Sequence, residues 1–514
     1  MHRTRALAAM ACAAACEALA QASDAPAAPA ADEPVVVADA YDEAVSHPVF
    51  EEFAPRIFVA PPRVAMRPDD ARAGPAGVLQ GAGEAAWPLL YRDEKLTVNA
   101  SLAGTIGAFA FRNNQFSTPP SQATPSFRND PSWGEAFLQP GLTAQWRLSE
   151  STSLYGGAAY LETTTRGTDY GGVGNTWHGD MEQMYAGVRW EDKARRLLVD
   201  FAYGQQNLVL GQSLLIASGA SNGTQRGADY LGPRTAWKNA TIGKVAVGDV
   251  EAQAFWLKPN DATSADTGTR LSGLEIAYDK EGPLRGAMLY LYVPESGIAT
   301  RDGLNVYDVR LRWHPIASVP NAWIAGEYAW QRKSGVSASG WYASANYNAK
   351  SATWQPLVTL RYAWMSGDKP GTPAWEGFDP LYFGGGDPDW YQGKLGNTIF
   401  NNTNLASLAA SITLAPAESN LLQVIALAFR AVQVNSPLAV PDANQPVTTG
   451  GGVPAKALAN EVDVVWTYTA SKRVNVNVFA AYAVPGAGYK DLYASQGGSA
   501  RPWSGFGVQL NVDY

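Results

Sequence analysis

The last twelve residues, WSGFGVQLNVDY, alternate without a break. Phe506, Val508, Leu510, Val512 and Tyr514 take one side; Gly505, Gly507, Gln509, Asn511 and Asp513 take the other. A period of two sends successive side chains to opposite faces of a strand, so this segment has one apolar and one polar face. The period recurs from Lys95 onward. It marks strands near 94–105, 138–149, 151–164, 178–191, 195–206, 234–243, 247–258, 268–279, 284–293, 302–314, 321–332, 338–348, 353–366, 404–415, 420–433, 458–470, 472–485 and 503–514, about eighteen in all.

Alternation alone suits a soluble sandwich as well as a barrel, but the connections separate the two. Tight turns fall at 149–151, 191–194, 280–283, 315–320, 350–352, 416–418 and 470–472. The connections between them are mostly long, notably 112–138, 206–234, 366–403, 433–458 and 486–502. A sandwich has no reason to sort its loops this way. A membrane barrel does, because its hairpins leave short turns on the periplasmic side and long loops outside, and single-chain bacterial barrels have even strand numbers. The expected fold is all-β: a transmembrane antiparallel up-and-down β-barrel of about 18 strands over residues 91–514. Aromatics near strand ends, among them Trp146, Trp190, Trp313, Trp330 and Trp466, fit its interfacial girdles.

The N-terminus agrees. Met1 to Arg5 is a basic head, Ala6 to Ala15 an apolar run, and Ala18-Leu19-Ala20 a small-x-small cleavage pattern, so residues 1–20 read as a secretory signal peptide. The apolar run is well short of the ~20 residues a spanning helix needs. Residues 21–90 are rich in Ala, Pro, Asp and Glu without sustained periodicity, and are expected to be a largely disordered periplasmic extension. Cys12 and Cys16, the only cysteines, both lie in the signal, which leaves the mature chain without disulfides or thiolate metal ligands. No later segment is apolar enough for a membrane helix. An exported chain that crosses lipid must then do so as a barrel, in the outer membrane of a Gram-negative bacterium.

The formal charge is −8; Arg3, Arg5 and Glu17 of the signal contribute +1, so the remainder carries −9. Such a balance excludes nucleic acid as a partner, which needs a basic surface.

With the apolar face of each strand turned to lipid, the opposite residues line the lumen by pleat alone. In LNVYDVRLRW, Tyr307, Val309, Leu311 and Trp313 face out, so Asp308, Arg310 and Arg312 face in. The same reading puts Arg147, Arg189, Asp200, Glu275, Glu327, Arg361, Asp463 and Arg473 inside, together with Lys95, Asn99, Gln145 and Asn477. An Arg or Lys facing lipid at the midplane costs ~2–4 kcal/mol, which makes the inward assignment firm. Two roles follow for these residues: cross-strand ion pairs that stiffen the wall, or a positive stripe that attracts anionic solutes while the carboxylates hold the arginines in place.

One loop stands apart. Residues 377–393 read GFDPLYFGGGDPDWYQG, too broken by Gly, Pro and Asp for a regular element. Phe378, Asp379, Pro380 and Leu381, then Trp390, Tyr391, Gln392 and Gly393, and an Asn-rich entry to the next strand (NTIFNNTN), resemble the signature region of the alginate-export family of outer-membrane barrels. The resemblance covers roughly Lys95 to Tyr514. It implies a monomeric channel that passes a polyanionic uronate polysaccharide such as alginate, or a small anionic solute, through an arginine-lined pore. All periplasmic connections are short here, so only the N-terminal extension could act as an inner plug. Phe378, Trp390 and Tyr391 either stack on sugar rings at the mouth or, as we favour, anchor a compact loop against the wall.

Catalytic alternatives find little support. There is no Gly-x-Ser-x-Gly elbow and no His-Glu-x-x-His pair, and His178 with Asp180 forms no recognisable triad fragment. Asp379, Asp387 and Asp389 lack the spacing of a calcium loop. The expected protein is not an enzyme and needs no cofactor or metal. Its expected partners are outer-membrane lipid, the transported solute, and the barrel assembly machinery, reached through the C-terminal strand.

Overall fold

The structure, a computed structural model, describes residues 89–513 apart from 122, 279–282, 320, 385–389, 418, 441–451 and 472. The signal peptide, nearly all of the 21–90 extension, His47, Asp387, Asp389 and Tyr514 lie outside the described residues.

Nineteen strands follow one another: β1 (Leu89–Arg92), β2 (Leu96–Arg112), β3 (Ser132–Arg147), β4 (Thr152–Gly167), β5 (Thr176–Asp192), β6 (Leu197–Gln206), β7 (Trp237–Val247), β8 (Val250–Lys258), β9 (Arg270–Tyr278), β10 (Leu284–Glu295), β11 (Asn305–Trp313), β12 (Ala322–Lys333), β13 (Val336–Asn348), β14 (Leu357–Met365), β15 (Leu405–Ala417), β16 (Asn420–Ala431), β17 (Ala457–Ser471), β18 (Val474–Pro485) and β19 (Trp503–Asp513). From β2 to β19 each pairs antiparallel with the next, and β19 returns to β2 from Ser504↔Arg112 to Asp513↔Ala103. The result is a closed barrel of 18 strands. Closure leaves no sheet edge, the condition for crossing lipid with strands. The short β1 pairs with the start of β2, from Leu89↔Asn99 to Arg92↔Thr97, a stretch that β19 does not reach. The turn between them is held by Asp93, whose carboxylate accepts the Leu96 and Lys95 amides at 2.7 Å; those bonds hold its carboxyl below the usual range.

Each expected strand is present, and the pleat sorts side chains as the period requires. On β11, Tyr307, Val309 and Leu311 are exposed on the outside while Val306, Asp308 and Arg310 are buried inside. Trp146, Trp190, Trp313, Trp330 and Trp466 lie on the outer surface.

Most strand ends lie within about four residues of the expected ones, and the first hairpin differs more. The first hairpin runs about seven residues further out than expected, to Arg112 and back from Ser132. There Phe109, Phe111 and Trp133 point inward and are buried, while Ala108 and Ala110 face out. The apolar face switches sides at this point, which disguises the strand as loop.

Eight short turns at one end and nine connections at the other preserve the parity. Two of the long connections, residues 207–236 and the described parts of 366–404 (366–384 and 390–404), fold back into the barrel. Leu208, Leu210, Leu214, Leu215 and Ile216 of the first pack with Phe378, Leu381 and Trp390 of the second against wall residues such as Ile242, Phe255, Leu289 and Val306. A second cluster joins Tyr391, Leu395, Ile399 and Phe400 to Phe429 and Phe479 of the wall. The loop-end half of the lumen is thus a packed apolar core, with the driving force of any buried core.

Candidate functional site

Carboxylates on the inner face of the wall hold the two loops. Glu135 of β3 accepts hydrogen bonds from the amides of Tyr230 (3.2 Å) and Leu231 (2.9 Å). Glu182 of β5 accepts those of Thr235 and Ala236, both at 2.8 Å. Glu461 of β17 accepts those of Leu395 (2.8 Å) and Gly396 (2.9 Å), and Asp463 that of Lys394 (2.9 Å) and the Tyr391 hydroxyl. Consecutive backbone N–H groups form an anion-binding concavity, and a carboxylate there makes charge-assisted bonds. Gly393 passes so close that a Cβ would lie 2.4 Å from Glu461 Oε1, at φ +91°; only glycine fits.

The loops also hold each other. Ala217 donates its amide to Tyr382 O (2.8 Å), Tyr382 donates to Leu215 O (3.0 Å), and the Tyr230 hydroxyl reaches Lys394 O (3.0 Å).

Phe378, Asp379, Trp390, Tyr391 and Gln392 of the signature are buried fixings of the second loop. Phe378, Trp390 and Tyr391 are fully buried. Asp379 forms a two-point pair with Arg301, and its backbone exchanges bonds with the Gln331 side chain of β12. Its Oδ1 also takes the Leu381 amide, closing the Asp-Pro-Leu turn. Trp390 Nε1 donates to Asn402 Oδ1 (3.0 Å), to which the Gln392 amide also bonds. Pro380 and Leu381 border the open space described below.

The inward-assigned charges fall into four places rather than one stripe. Arg310 pairs with Glu275 and Asp308, opposite Glu327 in register, and packs beside Gly211 of the first loop. Arg189 pairs with Asp200 at 3.0 Å. Arg361 donates to Tyr391 O (2.6 Å) and lies over the Trp390 ring at 4.2 Å, under the second loop. Arg147, Arg312 and Arg473 sit at the turn end: Arg147 is exposed, Arg312 is half-buried over Trp323, and Arg473 is exposed in the β17–β18 turn.

Between the loops and the β2–β5 and β19 wall remains a cavity of about 600 Å³. Its lining mixes apolar residues such as Phe137, Leu231, Leu381 and Val440 with amides and hydroxyls, among them Gln183, Asn207, Asn222, Asn397, Asn401 and Gln509. Its charged groups are Arg301, Lys394, Asp229, Asp261 and Asp513. Burial pushes the Asp261 carboxyl up to about 6, with Asp266 adding to the rise and Arg301 opposing it. Burial also raises Asp229, whose Oδ2 accepts the Tyr170 hydroxyl at 2.7 Å. Burial works against the Arg301 charge, but the Asp379 carboxylate outweighs it and holds the guanidinium above its ordinary value.

A family model described as alginate export matches residues 165–501, more than half of the chain. The chain belongs to the alginate-export family. Among solved structures, an OccD1 (OprD) double variant shares 11% identity over 81% of this chain and 95% of its own, with a TM-score of 0.50. OprD from Pseudomonas aeruginosa (13%, 81% and 93%, 0.49) and OccAB2 from Acinetobacter baumannii (13%, 81% and 98%, 0.48) are similar to it as well. At such identities the likeness concerns the fold. A comparison with curated proteins finds no match. Barrel and family together make this an outer-membrane channel protein.

In this alginate-export barrel, sequence reasoning passed over Arg301, Lys394, Asp229 and Asp261, because all four lie in loops and were not placed on the inner face. It also passed over Glu135, Glu182 and Glu461. One signal was present: Leu208 to Ile216 (LVLGQSLLI) is too apolar for a loop in water. His178 and Asp180 lie on β5, with the His178 carbonyl accepting from Thr163 Oγ1 and Asp180 accepting the Met181 amide. Among the described residues no three His, Cys, Asp or Glu side chains converge on a metal site.

Proposed function

We propose that this protein is a passive, non-enzymatic channel for small hydroxylated solutes of sugar size, narrowed from the outside by its two inward loops. The observation that carries the reading is the cavity of about 600 Å³ beside the pinned loops, whose mixed lining includes many amides and hydroxyls. Its volume is of the order of small-ligand sites, ~300–1,000 Å³. Amides and hydroxyls can exchange hydrogen bonds with each sugar hydroxyl a solute gives up to water. Two cationic and three anionic groups along the lining nearly balance and favour neither sign strongly.

A second reading, preference for anionic sugars or short uronate chains, is supported by the turn end, where Arg147, Arg312 and Arg473 lie on separate parts of the rim. They would raise the local concentration of anions at the periplasmic mouth. On this reading the buried arginines Arg189, Arg310 and Arg361 act through the wall and loops they brace rather than by touching solute.

Swelling of liposomes holding the refolded full chain tests both. Mono- and disaccharides should enter quickly and long uronate chains hardly at all, with a monomeric uronate faster than its neutral counterpart if the second reading holds. Equal exclusion of all sugars would overturn the channel; rapid entry of long polymer would overturn the narrow passage.

A further inference from the structure

The lipid-facing surface carries its own charge pattern. At the loop ends of the strands six basic side chains point outward: Arg112 on β2, Arg166 on β4, Lys258 on β8, Arg270 on β9, Arg332 on β12 and Arg430 on β16. At the turn ends of β2–β19 the outward positions hold Val98, Trp146, Leu154, Val245, Tyr278, Leu284, Trp313, Tyr347 and similar residues; among the described residues the charged exception is Asp192. Other basic residues of that end lie in the turns, such as Arg195, Arg196 and Lys350, or at the inward positions of strands, as Arg312 does. A chain with a formal charge of −8 has therefore put a cationic belt round one rim of its lipid surface.

The belt coincides with the outer aromatic girdle. The guanidinium of Arg332 lies 4.8 Å from the Trp330 ring centre, Arg166 is 5.9 Å from Trp177, and Arg270 is 6.0 Å from Trp256. An indole at the interface supports the stem of a cation whose head reaches the headgroups. Acidic neighbours are few. Asp130 lies 3.9 Å from Arg112 with both exposed, and Glu295 lies 3.1 Å from Arg270. Glu162 shares the outward face of β4 with Thr164 and Arg166, further from the rim than either.

We propose that this belt binds the phosphate groups of a phosphorylated glycolipid in the outer leaflet. Guanidinium and ammonium groups spaced round the rim match anions presented in a plane, and arginine forks bind phosphate oxygens in pairs. The apolar outward residues beneath each cation take the acyl chains of the same lipid, so charge and acyl contact coincide in one molecule.

Lipid retention by the refolded full-length protein tests this. Native mass spectrometry would follow a bisphosphorylated lipid A, its dephosphorylated form, and inorganic phosphate, each added to detergent micelles. The phosphorylated lipid should be retained at least about tenfold better than the dephosphorylated one, and inorganic phosphate should not displace it at equal concentration. The R166Q/R270Q/R332Q variant should lose most of that preference, and R166K/R270K/R332K, which keeps the charge without the forks, should keep part of it. Equal retention of the two lipids by the wild-type protein would overturn the proposal even if the variants failed to fold. Displacement by inorganic phosphate would reduce the belt to a plain anion site and overturn it too.

Discussion

Arg301 and Asp379 face each other in a two-point ion pair, Nη2 to Oδ1 at 2.7 Å and Nε to Oδ2 at 2.8 Å, both side chains almost wholly buried. The pair ties the β10–β11 loop to the second inward loop. Removing one partner of a buried pair leaves a stranded charge and costs ~3–5 kcal/mol. Neither residue lies on a strand of the 18-strand ladder. Asp379→Ala should therefore free the loop without unfolding the barrel. Single-channel recordings should show larger and noisier conductance, while the unheated protein keeps its folded mobility on gels. Unchanged conductance in a correctly folded variant would remove Asp379 from the constriction.

Glu461 offers a more local probe. Its carboxylate satisfies the amides of Leu395 and Gly396, residues buried with it. Glu461→Ala should leave each amide without its acceptor at ~1–3 kcal/mol apiece. Hydrogen exchange over residues 390–400 should accelerate by about tenfold or more, with β16 to β18 staying protected. Glu461→Gln keeps an acceptor oxygen but loses the charge, and should fall between the wild-type protein and the alanine variant.

The strands were legible because lipid imposes a simple rule on every second residue, as Val508, Leu510 and Val512 illustrate. The rule fails inside the loop-end half, where Phe109, Phe111 and Trp133 turn inward to meet a core that another part of the chain supplies. The Phe378–Leu381 and Trp390–Gly393 signature was visible as a pattern, but its partners were not. Glu135, Glu182 and Glu461 bind backbone amides, which carry no residue identity for a sequence to display. Arg310 was readable as inward from parity alone, whereas its neighbour Gly211 comes from a loop about a hundred positions earlier.

Acid should make the passage more favourable to anions. With its carboxyl near 6, Asp261 is ionised at pH 7.5 and neutral at pH 5, so the cavity gains one positive unit on acidification while Arg301 keeps its charge. Reversal potentials under a salt gradient should shift toward the anion side between these values, and Asp261→Asn should remove most of the shift. The same group works on stability. Its folded value lies above the ~3.9 of an unfolded aspartate, so the native state binds the proton more tightly. Stability is gained as pH falls through about 6 and lost as pH rises through it, by at most ~3 kcal/mol at about 1.36 kcal/mol per pKa unit.

The turn-end arginines decide between the two readings of solute charge. Arg147 and Arg473 are exposed there, and Arg312 is half-buried over Trp323, so all three can act on passing ions through water. Exposed charges act within about a Debye length, ~10 Å at 0.1 M salt. Reversing Arg147 and Arg473 to Glu should move the permeability ratio toward cations by several-fold at low salt and much less at about 1 M, where screening removes the field. Neither substitution touches a loop fixing, so conductance at high salt should stay close to that of the wild-type protein. A shift that survives high salt would point to a narrow site near these residues, and no shift at low salt would leave selectivity to Arg301, Lys394, Asp229 and Asp261 in the cavity.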